Sequence, residues 1–304
     1  MLQVEYGADL PTLEVGSGFP TDEQHFANRG RKISRSRNAV AAQNGWNLNN
    51  LPLHHRSLFC SIAEPISGVK VPWLYVGQLF SSFCWHIEDH WTYSINYMHL
   101  GEPKTWYGIP ASDAEAFERA MIASAPELFA RKPELLHDLV TLASPQYLID
   151  AGVRCFRTDQ NPGEFIVTFP RAYHAGFNMG FNVAEAVNFA PAHWLATGRR
   201  CFEAYRHDGR RPTFNHWEFV LQAAQWYRDH PESLDGDAAA FLLVELLELQ
   251  RHEQSVRHRV PHVIEDTALH EQPDDDRICT VCNTTLFEAH VRCACRPGWR
   301  CGDH

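Results

Sequence analysis

The sequence predicts a mainly β fold: a jelly-roll barrel of the double-stranded β-helix (cupin-like) kind, with flanking helices, followed by a helical domain and a small zinc-binding knuckle. Three observations predict it. Short β-branched and aromatic runs, separated by turn residues, fill residues 57–110 and 153–189. His86 and Glu88 stand two apart in a strand-like run and His174 lies in the distant segment Pro170–Asn178, so candidate metal ligands come from separate parts of the chain, as at the mouth of a barrel. Helical periodicity takes over after Trp194, and five of the nine cysteines crowd into the last 26 residues.

Residues 1–50 are polar and turn-rich, end in Gly45-Trp46-Asn47-Leu48-Asn49-Asn50, and are expected to form an irregular arm packed on the barrel. The barrel is expected over 51–195. Its first strands are predicted at Ser57–Ile62, Val69–Val76, Gln78–Trp85, Tyr93–Met98 and Lys104–Ile109. Ser112-x-x-Glu115 has the capping-box pattern and opens a helix through about Ser124. A second helix runs from about Pro133, with proline at a tolerated first-turn position, to about Ala143. Strands resume at Val153–Thr158, Glu164–Phe169 and Val183–Phe189. The helical domain, 196–270, comprises Thr197–His207, Asn215–His230 and Asp237–His258, punctuated by Pro212 and the Pro231–Gly236 stretch. A polar, acidic linker over Val260–Asp276 then leads into the knuckle, 271–304.

Composition narrows the function classes. Hydrophobic residues make up 44% and charged residues 21%, enough apolar material for a real core. No apolar run approaches the length of a membrane span, and no signal peptide opens the chain, so no membrane partner is expected. The net charge of -10 argues against direct nucleic-acid binding and suits a basic peptide partner. Cys60, Cys84, Cys155 and Cys201 are scattered among apolar residues and read as reduced core thiols. Cys279, Cys282, Cys293, Cys295 and Cys301 are clustered, which points to metal rather than disulfides.

His86 and Glu88 lie in Phe83-Cys84-Trp85-His86-Ile87-Glu88-Asp89-His90-Trp91. Side chains at i and i+2 of a strand share a face. A histidine and a carboxylate on one face supply two members of the facial triad that holds Fe(II) in non-heme oxygenases, and His174 is suited as the third. Three protein ligands leave three positions on an octahedral iron, two for 2-oxoglutarate and one for O2. A site closed by four ligands could not do this. The far carboxylate of 2-oxoglutarate needs a cation. Lys104, followed by Thr105-Trp106-Tyr107, is the candidate, the alternative being an edge lysine that reaches solvent. Ser94 and Asn96 alternate along the preceding strand and can donate to the same ligand. Asp89 and His90 read either as groups orienting the metal ligands or as satisfied polar residues.

These segments carry a family resemblance. Tyr75-Val76-Gly77, Phe83 to Trp91, Tyr93-Ser94-Ile95-Asn96-Tyr97-Met98-His99, Gly101–Pro110, Ala125-Pro126-Glu127-Leu128-Phe129, Phe165–Phe181 and Ala184-Glu185-Ala186-Val187-Asn188-Phe189 resemble the JmjC-domain histone demethylases. The resemblance runs from Val4-Glu5-Tyr6-Gly7-Ala8-Asp9 to the C-terminal cysteines. It is strongest to the JARID-type enzymes that act on lysine 4 of histone H3, because His-Ile-Glu-Asp-His-Trp at 86–91 differs from the related lysine 9/36 enzymes after the Asp. The resemblance implies that His86, Glu88 and His174 bind iron. It implies that Lys104, Asn96, Ser94, Phe83, Trp106 and Tyr6 bind 2-oxoglutarate, and that Tyr75 and Asn178 line the substrate side.

The resemblance further implies oxidative demethylation of a methyl-lysine histone H3 tail peptide, with release of formaldehyde, succinate and CO2, in chromatin complexes of the nucleus. The alternatives are a JmjC protein hydroxylase and a catalytically weak chromatin scaffold. The cysteine cluster resembles the family's zinc finger of five Cys, one His and two Cys, which binds two zinc ions. Cys279, Cys282, Cys293, Cys295, Cys301 and His304 match its first six positions, while counterparts of its last two cysteines and of the family's small JmjN segment are not seen, as in a shortened chain.

Overall fold

The structure is a computed structural model; it describes residues 3–21, 40–63, 65–132, 135, 142–259, 276–287, 290–293 and 296–304, with the backbone alone for 291–293 and 296–297. The chain divides into two compact units, 1–190 and 191–304.

The first unit is built on two antiparallel sheets. The larger has five strands in the order β1 (Gly7–Pro11), β2 (Trp73–Gly77), β9 (Asn182–Phe189), β4 (Tyr93–Gly101) and β7 (Phe165–Thr168). The smaller has four: β3 (Ser82–His86), β8 (His174–Asn178), β5 (Lys104–Gly108) and β6 (Phe156–Gln160). The non-sequential order, with every pair antiparallel, is that of a jelly roll.

Period-2 alternation sorts the side chains. On β4, Asn96 reaches across to the smaller sheet, its Oδ1 accepting from Gln160 Nε2 at 3.1 Å. Ile95 faces the other way and packs with Val187, Leu48 and Phe19 on the outer face of the larger sheet. A short helix α1 (Thr12–Val15) follows β1, and helices α2 (Ala114–Ser124), α3 (Pro126–Arg131) and α4 (Pro145–Asp150) cover the smaller sheet, burying Trp85, Ile109, Phe117, Met121, Leu148 and Tyr173 in one cluster. Apolar burial of this kind, about 25 cal/mol per Å2, is what holds the layers together.

Most predicted strands form, and the exceptions have local causes. The run Ser57–Ile62 is a 3-10 turn over Leu58–Ser61: Leu58 and Phe59 are adjacent yet both fully buried, whereas a half-buried strand would alternate. In Val69–Val76 only the end joins a sheet: Val71 makes an isolated bridge to Ser67, Pro72 lacks the donor a ladder needs, and β2 starts at Trp73. Gln78–Ser81 is a turn closed by the Ser81 amide on the Gln78 carbonyl at 3.0 Å, and β3 starts after it. The strand predicted from Val153 begins at Phe156. The capping box at Ser112–Glu115 does not form. A 3-10 turn over Ala111–Asp113 precedes α2, and the Asp113 carboxylate takes the Arg154 backbone amide (3.1 Å) and guanidinium instead of the helix amides. The helix predicted over 133–143 lies almost wholly outside the described residues.

The second unit holds α5 (Leu195–Asp208), α6 (His216–Asp229) and α7 (Gly236–Arg259), close to their predicted spans. Gly209 ends α5 in the left-handed region at φ 65°. Asn215 caps α6, its side chain accepting from the amides of Trp217 and Glu218. A hairpin of β10 (His290–Cys293) and β11 (Arg296–Cys301) closes the chain.

Candidate active site

Two of the three predicted metal ligands are direct cross-strand partners. His86 ends β3, His174 starts β8, and the two are paired in register. Their rings lie 4.2 Å apart. Glu88 follows β3 in still-extended backbone (φ -65°, ψ 148°), which keeps it on the face of His86. Its Oε1 is 3.4 Å from His174 Nε2, and one ligand atom from each of the three residues lies within 4.8 Å of the others.

The imidazoles are set up as ligands. His86 Nδ1 donates to the Cys84 carbonyl at 2.8 Å, and His174 Nδ1 to the Ala172 carbonyl at 3.0 Å. Those bonds fix the tautomer and leave each Nε2 lone pair facing the cluster. Burial, and then the neighbouring His174, push His86 down to about 4. For Glu88, burial alone would raise the carboxyl; the hydrogen bond and charge of His174, the charge of His86 and the Asn188 amide overcome it and hold the group at about 2. At neutral pH His86 is therefore neutral and Glu88 ionised, a donor set that suits a divalent cation.

Lys104 lies behind the triad and is 1% exposed. Its Nζ donates to Asn178 Oδ1 at 2.7 Å and to Tyr6 Oη at 3.1 Å, and it stands 5.7 Å from the centre of the Phe83 ring. Both oxygens are neutral, and among the described residues no carboxylate pairs with this ammonium. Burial consequently lowers Lys104 to about 7 and raises Tyr6 to about 12. A dehydrated cation without an anion is costly, and a ligand carboxylate would repair it.

The other expected pocket residues gather here. Trp106 donates its Nε1 to Gln160 Oε1 at 2.9 Å and stacks on His174, with centroids 5.9 Å apart. Phe83 meets Trp106 edge-on at 4.9 Å. Ser94 and Asn96 share the interior face, the first bonded to Thr168 and the second to Gln160. Tyr75 donates to Asp9 Oδ1 at 3.0 Å, with its ring 6.1 Å from that of Tyr6. Burial, together with the nearby charges of Asp9 and Glu88, raises Tyr75 well above the usual phenol range.

Asn178, expected beside the substrate, has no exposure: its oxygen takes Lys104 and its Nδ2 donates to Ser81 Oγ at 2.8 Å. Only glycine at 77 permits this, since a Cβ there would sit 2.5 Å from Asn178 Nδ2.

Sequence reasoning missed Asn188. Its Nδ2 donates to Glu88 Oε2 at 2.9 Å and to Thr92 Oγ1 at 2.7 Å, so it orients the carboxylate. The available signal was alternation, since Asn188 interrupts the apolar run of β9 on the face that includes Ala184 and Ala186. Gln160, which ties Trp106 to Asn96, was also missed.

In the second unit Cys279, Cys282, Cys301 and His304 converge, again with one ligand atom from each within 4.8 Å. Cys301 Sγ is 3.1 Å from His304 Nδ1 and 3.8 Å from Cys282 Sγ. Three sulfurs and an imidazole make a closed four-ligand set of the kind that holds structural zinc. Hydrogen bonds from the Cys282 and Cys301 thiols push the Cys279 thiol below its ordinary value, while the same contacts and burial push Cys301 above its own, so the sulfurs share their protons. Cys295 and the side chain of Cys293 lie outside the described residues.

Fold and site together define a class. Residues 73–189 match the family model of the JmjC domain, described as a hydroxylase. More particularly, the chain is 47% identical over 306 aligned residues to lysine-specific demethylase 5D of Homo sapiens, an alignment covering 99% of this chain and 19% of that protein. It is likewise 47% identical over 299 residues to lysine-specific demethylase 5B of Gallus gallus, covering 97% and 19%. The chain therefore spans about a fifth of the length of these curated relatives.

Proposed function

We propose that the chain carries out Fe(II)- and 2-oxoglutarate-dependent oxidative demethylation of methylated lysine on histone H3, lysine 4 by resemblance, yielding formaldehyde, succinate and CO2. The observation that carries the proposal is the pairing of two complementary features: a His-Glu-His cluster whose carboxylate is ionised and, in the same barrel, the buried Lys104 amine, which no carboxylate pairs among the described residues.

In this proposal His86, Glu88 and His174 hold the iron. Lys104 and Tyr6 receive the far carboxylate of 2-oxoglutarate, with Ser94, Asn96, Phe83 and Trp106 as further walls of its pocket. Once bound, iron and 2-oxoglutarate supply the dioxygen chemistry that oxidises an N-methyl carbon. The protein orients and excludes water. Asn188 fixes the Glu88 carboxylate, Trp106 stacks on His174, and Asn178 holds the Lys104 ammonium in place. Tyr75, between Asp9 and Glu88, offers an aromatic face and an anionic surround to a methylated ammonium. Zinc at Cys279, Cys282, Cys301 and His304 is structural. The four-part division into arm, barrel, helical domain and knuckle, the chromatin partners and the nuclear location belong to the same proposal.

The test is mass spectrometry of histone H3 tail peptides methylated at lysine 4, 9 or 36, incubated with Fe(II), 2-oxoglutarate and ascorbate. Loss of a methyl mass from the lysine 4 peptide, with formaldehyde, is expected. Succinate formation with oxygen added to an unmethylated peptide would replace demethylation by hydroxylation.

A further inference from the structure

The outer face of the larger sheet carries a buried polar clamp outside the site just described. Glu185 on β9 has no exposure, and a buried carboxylate needs donors. It has three: Ser17 Oγ at 2.7 Å, the Gly18 amide at 2.9 Å and His99 Nε2 at 2.9 Å. Two of them belong to the stretch that follows β1. That stretch approaches so closely that a Cβ on Gly18 would sit 2.4 Å from His99 Nε2, which leaves room for glycine alone. Ser17 Oγ also accepts from Asn49 Nδ2 at 2.9 Å, and the Phe19 ring packs 4.7 Å from His99.

The same arm carries Tyr6 at its other end, with its hydroxyl on Lys104. Between the two anchors, β1 is an edge strand that among the described residues pairs with β2 alone, and its register breaks between Gly7 and Leu10. An edge strand with a broken ladder is weakly held by its own hydrogen bonds. Beyond the Tyr75 bond to Asp9 and the Thr12 amide on the Pro72 carbonyl, Tyr6 therefore depends on what fastens the rest of the arm.

We infer that Glu185, braced by His99, is a positioning residue: it clamps Ser17 and Gly18 outside the sheet and thereby keeps Tyr6 on Lys104 inside it. The inference rests on the proposed 2-oxoglutarate role of Lys104 and Tyr6. A loosened clamp weakens 2-oxoglutarate binding and leaves turnover at saturating 2-oxoglutarate near the parent value, because the metal cluster comes from β3, its extension and β8.

Glu185→Gln keeps the volume and removes the charge; Ser17→Ala removes one donor at little risk to folding. Amide hydrogen exchange and calorimetric 2-oxoglutarate binding with Mn(II) in place of iron read the effect without turnover. Faster exchange at Gly18 and across 7–11 is expected, with 2-oxoglutarate affinity and KM worse by about five- to tenfold and kcat within about twofold. Tyr6→Phe combined with Glu185→Gln should bind no more weakly than Tyr6→Phe alone. Unchanged exchange over 7–11, an unchanged affinity in both clamp variants, or additive losses in the double variant would overturn the clamp. Absence of 2-oxoglutarate binding by the parent protein would instead sink the function proposed above, while the exchange measurement still judges the clamp's hold on the arm.

Discussion

The barrel cluster and the knuckle cluster gather their ligands to similar tightness but opposite purpose. The barrel offers two imidazoles and a carboxylate from strands that the fold fixes by itself, with tautomers set by backbone carbonyls. The knuckle offers three sulfurs and an imidazole from a short segment with a small core of Cys279, Cys282 and Leu286. Three hard or borderline ligands on a rigid frame leave room for exchangeable partners; four ligands, mostly thiolate, close the sphere. The first frame is a set of paired strands, whereas the second has a small apolar core of its own and is tied to the helices by polar contacts, Asn215 on the Thr285 carbonyl, Arg277 on Glu218 and Arg259 on Asp303.

Substitutions at the two clusters should therefore fail differently. His174→Ala should abolish formaldehyde release while leaving the thermal midpoint within a few degrees of the parent; full turnover would refute the ligand assignment. Cys282→Ser should reverse that pattern, with zinc content lost by elemental analysis and the second unit destabilised, since structural zinc contributes about 10–16 kcal/mol in small domains. Retained zinc would dissolve the contrast between the clusters.

The next effects concern the co-substrate. Lys104→Ala should raise the 2-oxoglutarate KM by about 10- to 100-fold, the loss of charged hydrogen bonds worth about 1.5–3 kcal/mol. An unchanged KM would mean that another cation receives the far carboxylate. Asn188→Ala frees Glu88 and should weaken Fe(II) binding by about tenfold, measured by metal titration. Smallest is a pH effect. Burial holds Lys104 at about 7, and a carboxylate binds its protonated form. Affinity for 2-oxoglutarate should be flat below pH 7 and fall about tenfold per unit above it, until the bound-state value is reached. Calorimetry in buffers of different ionisation heat should show proton uptake at pH 8; none would place the lysine pKa well above 8.

Much of the site was legible because its information is local. His86 and Glu88 announce a shared face by their spacing, and Lys104 sits beside aromatic residues that predict its burial. What stayed hidden depends on pairing between distant segments. Asn188 becomes a partner of Glu88 only once β9 lies beside β4 with Asn188 opposite Ser94. The Ser112 capping pattern failed because Arg154, distant in sequence, takes Asp113. The turn at Leu58–Ser61 could not be told from a strand because the three-residue apolar run Leu58-Phe59-Cys60 has no measurable period. For the knuckle, spacing indicated a metal site, but only the folded chain joins Cys279 and Cys282 to Cys301 and His304.

The cross-strand pairing of His86 with His174 carries an evolutionary consequence. The ladder of β3 on β8 already holds one extra residue between Phe83 and His86, so a further single-codon insertion or deletion there would change the face on which the first imidazole emerges. Length change in that segment is tolerable only in pairs, and even then it displaces the ring by about 7 Å. Descendants of this gene should vary freely in the loops around the barrel while the distance along the chain from Phe83 to Glu88 stays frozen.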